Sequence, residues 1–161
     1  YPKDLKTKIK AYDLGHFFKW DFKKNVEIVK KYGFEVLDTN QEGTFIDYED
    51  LDCGFMPMHQ YFKFIKYGYG RATDHACYEI RQGRMTKKQA KELIIEYDGK
   101  IPRKKFQEFL KFLNIDEEYF FNTVDRFTNP LLFKKNNNNS YLRDGDENLV
   151  LEKNWFDSFE I

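Results

Sequence analysis

Lys66-Tyr67-Gly68-Tyr69-Gly70-Arg71-Ala72-Thr73-Asp74-His75-Ala76-Cys77-Tyr78-Glu79-Ile80-Arg81-Gln82-Gly83-Arg84 is the stretch around which the rest of the chain is arranged. Two glycines one residue apart loosen the backbone after an aromatic run. The segment that follows predicts a short helix, because Ala72, Ala76 and Ile80 recur every four residues. Arg71, Asp74 or His75, Glu79 and Arg81 leave that apolar stripe and face elsewhere. With Arg84 they form a dense polar group in a chain that otherwise favours lysine. Such a group suggests anion recognition, since a planar guanidinium binds phosphate or carboxylate through two parallel hydrogen bonds. A solvated helix face with charge pairs three and four residues apart has the same pattern, and charge clusters are more often of that kind.

The flanks read as helices. Upstream, Pro57 fits the first turn of a helix from about 56 to 67, lined by Met58, Tyr61, Phe62, Ile65 and Tyr67, with His59 as a core or boundary residue rather than a ligand. Downstream, Thr86-Lys87-Lys88-Gln89 is a capping-box pattern, opening a helix with Ala90, Leu93, Ile94 and Tyr97 on one face and Asp98-Gly99 as its stop. Pro102 is expected to start the next, with Phe106, Phe109, Leu110 and Leu113 in a row. Asp116 caps a third carrying Phe120, Val124 and Phe127, stopped before Asn129-Pro130. Three amphipathic helices in succession imply a helical hairpin arrangement packed by phenylalanines. Toward the N-terminus, Asp21 caps a helix over 22–32 that ends at Gly33. Tyr12–Trp20 reads as a short strand or buried turn, 34–38 as a weak strand, and 1–10 as an extended entry. After Lys134 the periodicity fails in an asparagine-rich, turn-rich loop. Leu149-Val150-Leu151 and Trp155–Phe159 supply apolar surface for docking a terminal segment. The expected fold is mainly α, five to six helices with one or two short strands near the N-terminus. Residues 1–133 are the helical body and 134–161 the loop and docking segment.

Composition narrows the function. The 161 residues carry 27 Lys plus Arg against 27 Asp plus Glu, so the net charge is zero. A general nucleic-acid or membrane-surface binder needs an excess of positive charge, so any anion site must be local. Cys53 and Cys77 are not closely spaced and the three histidines have no metal-ligand spacing, which suggests reduced thiols in a cytoplasmic protein. No apolar run approaches the roughly 20 residues that span a bilayer. The chain begins without Met and reads as a piece of something longer.

Familiar catalytic patterns are absent: no Gly-x-x-x-x-Gly-Lys-Ser/Thr loop, no Gly-x-Ser-x-Gly elbow, no His-Glu-x-x-His. Asp47, Glu49, Asp50 and Asp52 invite a metal or general-base reading, but lack the glycine and bidentate glutamate of a calcium loop, so a surface loop is favoured.

Lys66-Tyr-Gly-Tyr-Gly-Arg-Ala-Thr-Asp-His-Ala, then Glu79-Ile-Arg-Gln-Gly-Arg-Met-Thr-Lys-Lys-Gln-Ala and Tyr97-Asp98-Gly99, resembles the C-terminal half of the N-acetyl sugar amidotransferase family. Phe18-Lys-Trp-Asp21, Tyr32-Gly33-Phe34, Glu42-Gly43-Thr44 and Phe127-Thr-Asn-Pro130 follow in that family's order, so the similarity covers about residues 12–133. The family belongs to the PP-loop ATP pyrophosphatases and acts in surface-polysaccharide and nonulosonic-acid pathways. The resemblance implies ATP-dependent conversion of a sugar N-acetyl group to an acetamidino group, using ATP and Mg2+, with ammonia from a separate glutaminase partner. The N-terminal phosphate loop of that family is missing here. The chain is therefore expected to be a C-terminal part, inactive alone, whose partners are the PP-loop half, the glutaminase and the sugar, with homo-oligomerisation left open and no nucleic acid or membrane.

Arg71 and Arg81 are the first candidates for phosphate or acidic-sugar contacts, with Arg84 and Lys66 behind them, all lining an open hollow. Asp74 would orient an arginine or a sugar hydroxyl, and Glu79 would accept from a hydroxyl or pair with Arg71. Trp20, Glu42 and Thr44 are added as sugar contacts, and no catalytic residue is assigned. Two other readings stay open: another PP-loop relative of the tRNA-thiolating or asparagine-synthetase-like kind, and a non-catalytic helical module whose arginines are structural.

Overall fold

The computed structural model describes residues 10–153 and divides the chain into two compact units, Tyr1–Glu35 and Val36–Ile161. Among the described residues, six α-helices follow in order: α1 Phe22–Lys30, α2 Met56–Tyr67, α3 Arg71–Arg81, α4 Lys87–Tyr97, α5 Phe106–Leu113 and α6 Glu117–Phe127. The chain is mainly α, as its periodicities dictate.

In the first unit Asp21 caps α1, its carboxylate accepting from the Lys23 and Lys24 amides. The aromatic stretch before it is neither strand nor buried turn. Leu14–His16 is one 3-10 turn capped by Asp13, and Tyr12, Phe17, Phe18 and Trp20 are exposed. Nor do residues 34–38 form a strand. A glycine and an Asx cap in nine residues favour a local turn over extended pairing.

In the second unit the core gathers Met58, Tyr61, Phe64 and Ile65 of α2, Ile101, Phe106 and Leu110, Phe120 and Val124 of α6, and Phe133 and Leu149. Burial of each large side chain contributes about 1.5–3 kcal/mol against the entropy of ordering. The Phe106 and Phe120 rings meet edge to face, with centroids 5.0 Å apart. The heaviest packing is α2 on α6 and α3 on α4, so the helices do not simply stack in chain order. A smaller core joins Ala76 of α3 to Ala90 and Ile94 of α4, where small residues let the backbones approach. On α2, Phe64 is buried where the sequence suggested Tyr67, which is exposed, and His59 is exposed as well.

Ends of helices follow local chemistry. Thr86 and Gln89 make the reciprocal capping box. Gly68 closes α2 at φ 77°, its amide 2.7 Å from the Phe64 carbonyl. The helix expected from Pro102 begins instead at Phe106. A turn at 104–105 precedes it, and the Arg103 and Lys104 amides donate to the Glu42 carboxylate at 2.7 Å and 3.1 Å. The stretch after Lys134 is two tight turns held by isolated antiparallel bridges, Phe133 to Leu151, Lys135 to Tyr141 and Arg143 to Leu149. The residues from 154 onward, including Trp155–Phe159, lie outside the described part.

Candidate functional site

The N-terminus of α3 is the most densely connected polar region in the second unit. Gly70, its N-cap, has no side chain with which to satisfy the free amides. Asp98, just beyond α4, supplies it: the carboxylate accepts from the Gly70 amide at 2.8 Å, the Ala72 amide at 3.0 Å and the Thr73 hydroxyl at 2.6 Å. A Cβ at Gly70 would overlap that carboxylate. The second glycine of the Gly-Tyr-Gly run is thus required by close approach, the first by its left-handed backbone. Burial raises the Asp98 carboxyl above its ordinary range, against these donors.

One turn further, Glu49 gathers Arg71 and His75. Arg71 donates to its Oε2 from Nε at 3.1 Å and from Nη2, and His75 Nε2 lies 3.0 Å away. Burial alone would push the Glu49 carboxyl up. Hydrogen bonds and charge from His75 and Arg71 outweigh it and hold the group at about 2. A carboxylate only accepts, so His75 carries its proton on Nε2, and in the neutral ring Nδ1 accepts from the Thr44 hydroxyl at 2.8 Å. Arg71 also reaches Asp74 from Nη1 at 3.4 Å, and Asp74 pairs with Lys63. Lys63 sits 4.5 Å from the centroid of the Tyr69 ring.

A second pairing lies at the far end of α3. Arg84 forks onto Glu79, with Nε to Oε2 at 2.7 Å and Nη2 to Oε1 at 2.8 Å, and Glu79 is buried. Tyr48 spans the two groups electrostatically: burial, then the charges of Glu79 and Glu49, push its hydroxyl up to about 12.

The sequence candidates therefore separate. Arg71, Asp74 and Thr44 are brought into one network. Glu79 pairs with Arg84 and not with Arg71, which Glu49 and Asp74 occupy. Arg81 is exposed at the end of α3, and Lys66 is exposed at the end of α2. Lys66 borders an apolar groove lined by α2, α5 and α6. Glu42 is spent on the turn before α5, and Trp20 belongs to the first unit, 5.9 Å from Phe22. The hollow expected beside the arginines measures about 10 Å3 where Arg71 lines it, room for one water at most. Lys63 and Asp98 were not legible as network members, His75 stood in the sequence only as an alternative to Asp74, and Glu49 read as part of a surface loop. The acidic patch was the signal available for Glu49. Asp98 had registered only as a helix stop.

The Thr44-His75-Glu49 array has the connectivity of a hydroxyl activated by a histidine, but Thr44 is buried. The network is a rigid brace. Among the described residues no group of three or more His, Cys, Asp or Glu side chains is placed to hold a metal ion. The small hollow at Arg71 has no room for a nucleotide. Among the described residues, no helix is long and apolar enough to cross a membrane.

No curated protein matches the chain. A family model does, over residues 42–144, a span that takes in α2 to α6, the α3 network and the first bridged turn. Because it covers most of the second unit and well over half of the sequence, this chain belongs to the family of LPS biosynthesis protein WbpG-like C-terminal domains.

Proposed function

We propose that this domain is the C-terminal part of an ATP-dependent amidotransferase that converts a sugar N-acetyl group to an acetamidino group in lipopolysaccharide biosynthesis. The observation that carries the reading is the family match over 42–144, which contains the Lys66–Ala76, Glu79–Ala90 and Tyr97–Gly99 motifs behind the amidotransferase resemblance. In this reaction the amide oxygen attacks the α-phosphate of ATP and pyrophosphate leaves. Ammonia then adds to the activated carbon, and AMP departs with the former amide oxygen. An amide is a poor electrophile, and adenylation gives it a leaving group. ATP and Mg2+ would be held by the PP-loop half and ammonia supplied by a glutaminase. This domain contributes the sugar side and a rigid frame.

The test is to join this chain to its PP-loop half, add the glutaminase, glutamine and ATP, and supply an N-acetyl sugar labelled with heavy oxygen in the amide. Label appearing in AMP supports the reading; unlabelled AMP, or ADP as product, rejects it. Arg81→Ala, at an exposed site, is expected to lower kcat/KM by about tenfold without unfolding the domain.

A second reading, a non-catalytic helical module, is favoured by one observation: Arg71 is held by its own chain's carboxylates. It predicts that the PP-loop half transfers the label equally well with this domain removed.

A further inference from the structure

The second unit contains a cleft of about 480 Å3 between the ends of α2 and α4 and the bridged segment after Phe133. That lies within the roughly 300–1,000 Å3 typical of small-molecule sites. It is far larger than the space beside Arg71. Its floor is made by Phe64, Ile94 and Leu149, three buried core side chains that cannot easily move. Gly68 and Asp98-Gly99 border it, so two of the motifs quoted above converge on its edge.

The rim carries charged side chains of both signs. Lys63, Arg71, Arg103, Lys105 and Arg143 are each paired with a carboxylate. Lys134 and Glu152, which line the cleft, form no ion pair among the described residues, and Lys100, also at the cleft, acts on Asp144 only through its charge, helping to lower that carboxyl. The other two acids at the cleft are already engaged. Asp98 serves the α3 amides, and Asp144 accepts from the Asp146 and Asn148 amides at 2.9 Å each.

An apolar floor beneath exposed charged groups of both signs matches a ligand with a C–H face and hydroxyl edges. Lysines donate to ring and hydroxyl oxygens, and a glutamate accepts from hydroxyl or amide hydrogens. A bare anion would meet three carboxylates against two ammonium groups, so phosphate alone is disfavoured. We propose that this cleft is a sugar subsite, seating one pyranose ring of an N-acetylated sugar on the Phe64, Ile94 and Leu149 floor, with Lys100, Lys134 and Glu152 as its hydrogen-bonding rim. The assignment rests on the reading that the substrate is a sugar, and gives that sugar a place on this chain.

The test is a titration of the isotope-labelled 161-residue chain with N-acetylglucosamine, followed by amide NMR, with inorganic phosphate in a parallel arm. Saturable shifts at Lys100, Lys134 and residues 150–152, absent with phosphate, are expected. Lys134→Ala, Glu152→Gln and Ile95→Asp, all at exposed positions, should each weaken binding by about tenfold or less, as loss of a single hydrogen bond or apolar contact does, while the circular dichroism is unchanged. No shifts, shifts centred on Lys63, Arg71 and Asp74, or equal shifts with phosphate would overturn the subsite. The label-transfer assay separates the two claims: transfer without cleft shifts removes the subsite and keeps the amidotransferase, and cleft shifts without transfer do the reverse.

Discussion

Replacing Glu49 by Gln tests whether the α3 network is a brace or a solvated ornament. Its carboxyl sits at about 2 against an ordinary 4.5, because Arg71 and His75 favour the charged form more than burial opposes it. A carboxyl whose folded pKa is depressed stabilises the fold fully above its unfolded pKa, and that stabilisation is lost as pH falls toward the folded value. The window here runs from about 4.5 down to about 2. At 1.36 kcal/mol per pKa unit, the shift corresponds to no more than about 3 kcal/mol at neutral pH, and solvent screening of this half-buried pair reduces it to about 1–2 kcal/mol. Glu49→Gln should therefore lose about 1–2 kcal/mol, or about 3–8 °C in Tm for a domain of this size. Urea titrations read by circular dichroism at a series of pH values measure both quantities. The parent should lose stability steeply between pH 4.5 and 2, and the variant should show a shallower slope there. Equal stability at neutral pH together with equal acid slopes would refute the brace.

Three further outcomes follow from the same geometry. Gly99→Ala places a Cβ into the buried Phe64 ring at a residue with φ 77°, and should cost about 2–4 kcal/mol by chemical denaturation. Arg84→Ala removes the fork on buried Glu79 and should cost about 2–4 kcal/mol, with Arg84→Lys recovering only part of the loss because an ammonium cannot reproduce the planar pair. Arg81→Ala, at an exposed position, should change stability by no more than about 0.5 kcal/mol, so any larger effect would mean an unrecognised contact.

Legibility in the sequence followed distance along the chain. The capping box at Thr86, the caps at Asp21 and Asp116, the stop at Asp98-Gly99 and most of the apolar rows of α2 to α6 are each set by residues within a turn or two and were readable, whereas Tyr67 and Phe127, placed in those rows, are exposed. The start of α5 was not readable, because the carboxylate that holds the preceding turn comes from Glu42, 61 residues earlier. Aromatic richness over residues 12–20 misled for a related reason: composition favours a strand only where a partner strand exists to pair with it.

By itself the sequence determined a mainly helical chain of neutral net charge, most of the caps that bound its helices, and a motif order that pointed to the C-terminal domain of a sugar-biosynthesis protein. The tertiary structure alone decided that Glu49 meets Arg71 and His75 across 22 and 26 residues, that Asp98 caps α3 across 26, and that the roomy cleft lies beyond Asp98 while Arg71 faces almost none. Hydrophobic period and capping act over one helical turn and leave a trace in the residue order. The partner of a charge is fixed by where the packed helices bring distant segments, and that is settled only when the core closes.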